Sequence, residues 1–297
     1  MRNLKAPPQR VQRIVYLGTP EVAVPPLLAL HEAGFDISLV VSAADKRRGR
    51  GSGLSPTPVK SAALELGLDA TDDVGDVSEV AADLGVVVAF GQLISTSLLE
   101  QLAMVNLHFS LLPRWRGAAP VERAILAGDM VTGVGVMELV PKLDAGGIYS
   151  EIEIPIGSDQ TAAELREVLV EQGSALLLKT LARGLGTPRP QIGDPVYAHK
   201  ISSADLELDW TRPALELHAM VRVGNAWTTF RGKRLKVWES RLSDRSDLQR
   251  GAIDDAVVGA GDRALELVTV QPAGKARLEA SAWLNGAQLS LHDRLGS

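Results

Sequence analysis

GVVVAFG (residues 85–91) and MVNLHFS (residues 104–110) decide the fold. The first is a short, continuous Val-rich run ended by glycine, as expected of a central parallel strand buried on both faces. Towards the N-terminus, VQRIVYLG (11–18) and DISLVVS (36–42) read as further apolar strands. PPLLALHEAG (25–34), opened by prolines and stopped by Gly34, and PVKSAALELG (58–67) read as helices. Strand and helix alternating from 11 to about 130 predict an α/β domain, a doubly wound and mainly parallel Rossmann-like sheet whose ligands bind beyond the carboxyl ends of the strands. Both AFGQ and NLHFS end at that edge. Towards the C-terminus, TGVGVMELV (132–140) and IYSEIEIPI (148–156) read as a strand pair around the turn PKLDAGG. Glu151 and Glu153 alternate with isoleucines, which suits a strand at the sheet edge. TAAELREVLVEQGSALLLKTLARG (161–184) is a long amphipathic helix, acidic early and basic late, as the helix dipole favours.

Beyond it the chain loses periodicity and carries Pro188, Pro190 and Pro195. The expected organisation is a first domain over 1–187, a linker over 188–209 and a small all-β, barrel-like domain over 210–297. The last is read from the short strands KRLKVWESR, AVVGAG and ALELVTVQ, which follow a helix near PALELHAMVR. The 297 residues, 45% of them hydrophobic, are enough for two cores. With no cysteine, disulfides and thiolate metal sites are excluded. A net charge of -5 argues against wholesale coating of nucleic acid but leaves room for local basic patches. No window approaches the roughly 18 apolar residues of a membrane span, and MRNLKAPPQRVQR has no apolar core, so a soluble, cytoplasmic protein with no membrane partner is expected.

NLHFSLLPRWRGAAP (106–120) carries the chemistry. Residues i and i+2 of a strand project to one face, so Asn106 and His108 lie side by side at the ligand edge. An imidazole moves protons near neutral pH, and an amide NH2 donates to a carbonyl oxygen that becomes negative during acyl transfer. A half-buried histidine satisfied by a backbone carbonyl is the plainer alternative. Asp144 in LDAGG is likewise either an ordinary turn aspartate or a partner for that histidine. The GTPE turn after Gly18 invites a nucleotide-binding reading, but G-x-G-x-x-G is absent and no acidic residue is suitably placed after the next strand, so a dehydrogenase is rejected.

LGTPEVAVPPLLAL, LSPTPVK, VVVAFGQLIS, NLHFSLLPRWRGAAP, LDAGG and QPAGKARLEASAWLNG, in this order over nearly the whole chain, resemble the methionyl-tRNA formyltransferases. The resemblance implies a catalytic domain that takes 10-formyltetrahydrofolate as formyl donor and an OB-like C-terminal barrel that helps hold tRNA. The acceptor would be the α-amine of methionine on initiator methionyl-tRNA. It places the catalytic set on Asn106, His108 and Asp144, with no metal, and Ser110, Leu111, Leu112 and Pro113 on the folate-binding loop. Ala89, Phe90, Gly91 and Gln92, and the stretch 138–143 with Val140 and Leu143, are expected to supply further folate contacts. A monomer is expected. A formyltransferase for an amino sugar nucleotide and a non-catalytic RNA-binding protein on the same scaffold are the competing readings. Neither needs every one of these motifs.

Two basic clusters are candidates for RNA. Lys46, Arg47, Arg48 and Arg50 lie among glycines after the second strand, where they are either a solvated loop or a grip on an acceptor stem. The resemblance matches Arg50 to the family's loop arginine, although KRRGRGSG lacks the usual proline before GRG. The segment 205–297 has balanced charge, but Arg231, Lys233, Arg234 and Lys236 cluster beside Trp227 and Trp238. That pattern suits phosphates with stacked aromatics, or simply the solvent face of a strand.

Overall fold

The computed structural model describes residues 4–47, 54–290 and 293–296; Arg48 and Arg50 lie outside them. The chain forms two compact units, one of Met1–Pro120, Val131–Pro155 and Arg166–Ala198, the other of Val121–Met130, Ile156–Leu165 and His199–Ser297.

The first unit contains strands β1 (Arg13–Gly18), β2 (Asp36–Val41), β3 (Lys46–Arg47), β4 (Leu54–Ser55), β5 (Ala70–Thr71), β6 (Leu84–Val88), β7 (Met104–His108), β8 (Arg116–Gly117), β9 (Val131–Glu138), β10 (Ile148–Pro155) and β11 (Tyr197–Ala198). Helices α1 (Val24–Glu32), α2 (Pro58–Glu65) and α3 (Thr96–Gln101) connect them. The main sheet runs β10-β9-β7-β6-β1-β2-β5. β5, β2, β1, β6 and β7 are parallel, and β9 and β10 complete it antiparallel. Strand order reverses at β1, which lies between β2 and β6, so a crevice opens at the carboxyl ends of β1 and β6. Continuous apolar sequence becomes strand here because both faces are covered: every residue of β6 is buried, as are Ile14 to Leu17 of β1. Each such Val, Leu or Ile contributes about 1.5–3 kcal/mol by leaving water. Gly18 is explained by packing, since a Cβ there would meet Ala23 at 2.9 Å and the Tyr16 ring at 3.0 Å. The strand rich in alternating glutamate, β10, is the sheet edge.

The second unit takes α4 (Pro120–Leu126), from its Val121 onward, and the start of α5 (Ala162–Arg183) together with the C-terminal chain. Its antiparallel sheet holds β12 (Trp227–Phe230), β13 (Lys233–Ser243), β14 (Ile253–Asp254), β15 (Val257–Gly259), β16 (Ala264–Pro272) and β17 (Leu278–Glu279). Helices α6 (Ala214–Val223) and α7 (Ala280–Ala287) pack on the core of Trp210, Leu217, Val237, Leu265 and Trp283. Among the described residues no helix is long and apolar enough to cross a membrane.

The stretch beginning at 188 is paired rather than loose up to Ala198. Arg189 exchanges backbone hydrogen bonds with Ile148, Val196 N–H donates to the Pro113 carbonyl, and β11 pairs in parallel with β8.

Candidate active site

β7 delivers Asn106 and His108 to the carboxyl edge between β6 and β9, where Asn106 is paired in register with Val87 and Met137 and His108 with Gly135. Between them Leu107 turns to the opposite face, against Gly173 of α5. Asn106 is half-buried and His108 buried. The strand period therefore aims both polar side chains to the same face.

Immediately after β7 the chain folds back on the imidazole. His108 Nε2 lies 3.0 Å from the Trp115 carbonyl. That oxygen only accepts, so Nε2 carries the hydrogen of the neutral ring and Nδ1 is left with its lone pair. Nδ1 faces Asp144 Oδ2 at 3.8 Å. The distance exceeds a hydrogen bond, and both groups are buried. The same Oδ2 accepts the Gly117 N–H at 2.7 Å, which fixes the carboxylate.

The backbone around this pair is unusual. Trp115 (φ 63) and Asp144 (φ 44) occupy the left-handed region, at a cost of order 1–3 kcal/mol each. Gly117 (φ 120) turns where only glycine is comfortable, and a Cβ there would also meet the Ala198 carbonyl at 2.9 Å. In LDAGG, Gly146 leaves no room for a Cβ against the Glu138 backbone, so the loop lies flat on β9 and presents Asp144 inward.

Of the loop at 110–113, Ser110 is buried and its hydroxyl donates to the Arg114 carbonyl at 2.6 Å. Leu111 covers Gly133, and Leu112 is buried with Met137 and Ile148. These three side chains build the loop. Pro113 follows a cis peptide and is half-buried. The accessible surface comes from the other expected residues. Ala89 (φ 47), Gly91 and Gln92 are exposed just past β6, Phe90 and Val140 are half-buried, and Leu143 beside Asp144 is 60% exposed. Exposed backbone with apolar side chains suits a flat ring with a polar edge, which is the chemistry of a pterin.

Two residues that sequence reasoning did not single out complete the site. Gln191 donates from Nε2 to the carbonyls of Asp144 (2.8 Å) and Gly146 (2.7 Å). Its Oε1 accepts from Nε (3.0 Å) and Nη2 (2.6 Å) of the buried Arg116. The sequence offered only TPRPQIGDP, whose prolines signal an extended run and nothing about what it covers.

The basic residues fall into distinct situations. Lys46 is exposed on β3, which pairs with β4, and the base of this hairpin is tied by Lys60 Nζ to Asp45 at 2.9 Å. In the second unit Arg234 lies 3.8 Å over Trp227 and donates to Ser203 Oγ. Lys236 stands 5.2 Å from the Trp238 ring and donates to Asn225 Oδ1 at 3.0 Å. Arg277, not anticipated, stacks 3.3 Å over the same Trp238. Arg234, Lys236 and Trp238 alternate with buried Leu235 and Val237, so they share the outer face of β13. Lys233 is exposed at its start. Arg231 differs, because it grips Asp293 at 2.6 Å and the carbonyls of Ala287 and Gln288 at the end of α7. It is a fold-closing tie.

Residues 12–181 match the family model described as formyl transferase, and 200–288 match the formyl transferase C-terminal domain. A methionyl-tRNA formyltransferase of Leifsonia xyli is 44% identical over 93% of this chain and 97% of its own. One of Symbiobacterium thermophilum is 40% identical over 95% and 94%. Among solved structures, WlaRD, a sugar 3N-formyl transferase crystallised in the presence of dTDP and 5-N-formyl-THF, matches with a TM-score of 0.69 at 16% identity, over 90% of this chain and all of that one. HypX from Aquifex aeolicus, in complex with tetrahydrofolic acid, matches with a TM-score of 0.63 at 15% identity, and the chain spans only 47% of its length. Sequence kinship over both domains goes with the tRNA enzymes, and the chain belongs to the methionyl-tRNA formyltransferase family.

Proposed function

We propose that the protein transfers a formyl group from 10-formyltetrahydrofolate to the α-amine of methionine esterified to initiator tRNA, for translation initiation. The full-length relatives that carry this name support the acceptor, and solved proteins of the fold described with folates support a folate-derived donor. The observation that carries the chemistry is the buried His108–Asp144 pair, two residues along β7 from Asn106 and on the same face.

The donor supplies a formyl carbon attached to a folate nitrogen. The amine nitrogen bonds to that carbon as its bond to the folate nitrogen breaks. One proton leaves the amine and one is gained by the folate nitrogen, so the reaction balances without an external acid or base. Asn106 donates to the formyl oxygen as negative charge develops there. His108 takes up the amine proton at Nδ1, facing Asp144, and returns it. Asp144 stabilises the imidazolium while Trp115 holds the ring by its other nitrogen. Ala89 to Gln92, with Val140 and Leu143, hold the folate; Ser110 to Pro113 shape the wall behind it. No step is assigned to a metal.

The exposed Lys46 and the neighbouring Arg47, Arg48 and Arg50, with Lys233, Arg234 and Lys236 on the C-terminal unit, serve the tRNA. Functionally, 1–187 acts as the formyltransferase domain and 210–297 as the OB-like tRNA-binding domain, with 188–209 connecting them in sequence, although Gln191 serves the first and Val121–Met130 and Ile156–Leu165 pack with the second. The protein works in the cytoplasm as a monomer. The deciding experiment is formylation with 10-formyltetrahydrofolate of initiator methionyl-tRNA, elongator methionyl-tRNA and an amino sugar nucleotide side by side. Turnover confined to the initiator species is expected. Turnover only of the sugar, or of none, overturns the assignment.

A further inference from the structure

We propose that Gln191 is a positioning residue for formyl transfer, holding the Asp144 main chain so that its carboxylate stays against His108 Nδ1. The inference rests on the roles given above to His108 and Asp144. All the hydrogen-bonding capacity of the Gln191 amide is used: two hydrogens go to the Asp144 and Gly146 carbonyls, and two guanidinium N–H groups come to its oxygen. The amide has one workable orientation, since the flipped one sets oxygen against two carbonyls and NH2 against a guanidinium.

The residues it joins are the two sides of the site. Arg116 immediately precedes Gly117, whose N–H holds the Asp144 carboxylate, and Gly117 is itself pinned by β11. Asp144 carries a left-handed backbone that a free loop would abandon. Gln191 thus ties the Asp144 main chain to the strand that holds the Asp144 side chain, and sets the distance to the imidazole from both ends. A glutamate of the same size cannot do this, because a carboxylate has no hydrogen for either carbonyl.

Gln191→Met and Gln191→Glu test the role by steady-state formylation of methionyl-tRNA, folate titration, and nitrogen NMR of the His108 ring. Both variants are expected to lose about 10-fold or more in kcat, with KM for tRNA and folate affinity within about 2-fold of wild type, because only the catalytic geometry is loosened. The His108 Nδ1 resonance is expected to move towards its position in Asp144→Asn. In the Asp144→Asn background, Gln191→Met is expected to change kcat by less than about 2-fold, because the two act through one contact. Additive losses, or wild-type kcat with an unmoved His108 resonance, overturn the proposal. If Gln191→Met does not fold, Gln191→Glu, which keeps an acceptor for Arg116, carries the same measurements. Wild-type kcat in Asp144→Asn alone would instead overturn the role of Asp144, so the two failures are distinct.

Discussion

The Trp115 carbonyl and His108 Nε2 lie 3.0 Å apart, which leaves the Nδ1 lone pair on the side that faces Asp144. His108→Ala is therefore expected to lower kcat by roughly 100-fold or more with little change in folate affinity, and Asn106→Ala to do the same by removing the donor to the developing oxyanion. Turnover of each variant, measured beside a folate titration, checks this. Near-normal kcat in either would remove that residue from the mechanism.

Asp144→Asn keeps an acceptor for the Gly117 N–H and removes the charge 3.8 Å from Nδ1. It is expected to preserve the melting temperature to within a few degrees while lowering kcat and altering the pH–rate profile. A profile superimposable on wild type would count against the carboxylate.

Phosphate contacts are separable by salt. Arg50→Ala, Lys236→Ala and Arg234→Ala are each expected to reduce kcat/KM for methionyl-tRNA and make the log–log salt dependence shallower by about one unit, with folate affinity unchanged. Arg231→Ala should instead lower thermal stability, since that guanidinium holds Asp293 and the end of α7. Wild-type binding and formylation across salt in the first three would make both clusters solvated surface.

His218 is buried on α6 between Ser240 Oγ (3.0 Å) and Asp159 Oδ1 (3.2 Å). Burial, aided by Arg222, lowers its proton affinity below the usual 6.5 and outweighs the opposing pull of Asp159. Between the lowered value and 6.5 the unfolded chain binds more protons than the folded one, so stability rises with pH there and is fully present above it. Denaturant unfolding from pH 5 to 8 should show wild type losing stability on acidification more steeply than His218→Gln, while parallel curves would refute this role.

Valine runs announced β6, and the spacing of Asn106 and His108 announced their common face, because strand period and burial are written in side-chain type. In LDAGG, the close approach of Gly146 to the Glu138 backbone is one that only a residue without a Cβ permits. What was illegible is what passes through main-chain atoms. The Trp115 carbonyl, the Gly117 N–H and the carbonyls gripped by Gln191 have no signature, since every residue carries the same groups. Arg231 and Lys236 look alike in sequence as well, and only the location of Asp293 separates a structural tie from a surface cation.

The interleaving of the two compact units bears on how the protein can be taken apart. Val121–Met130 and Ile156–Leu165 belong with the C-terminal unit, although catalytic-unit strands lie before, between and after them. Arg222 donates to the carbonyls of Gly157 and Gln160, Arg123 binds Asp205, and Leu126 packs on the C-terminal core. Severing the chain after residue 187 would therefore strip two internal segments of their partners and uncover apolar surface in both fragments. Neither half is a removable module, and an intact barrel could be grafted elsewhere only by carrying pieces of chain from within the enzyme it serves.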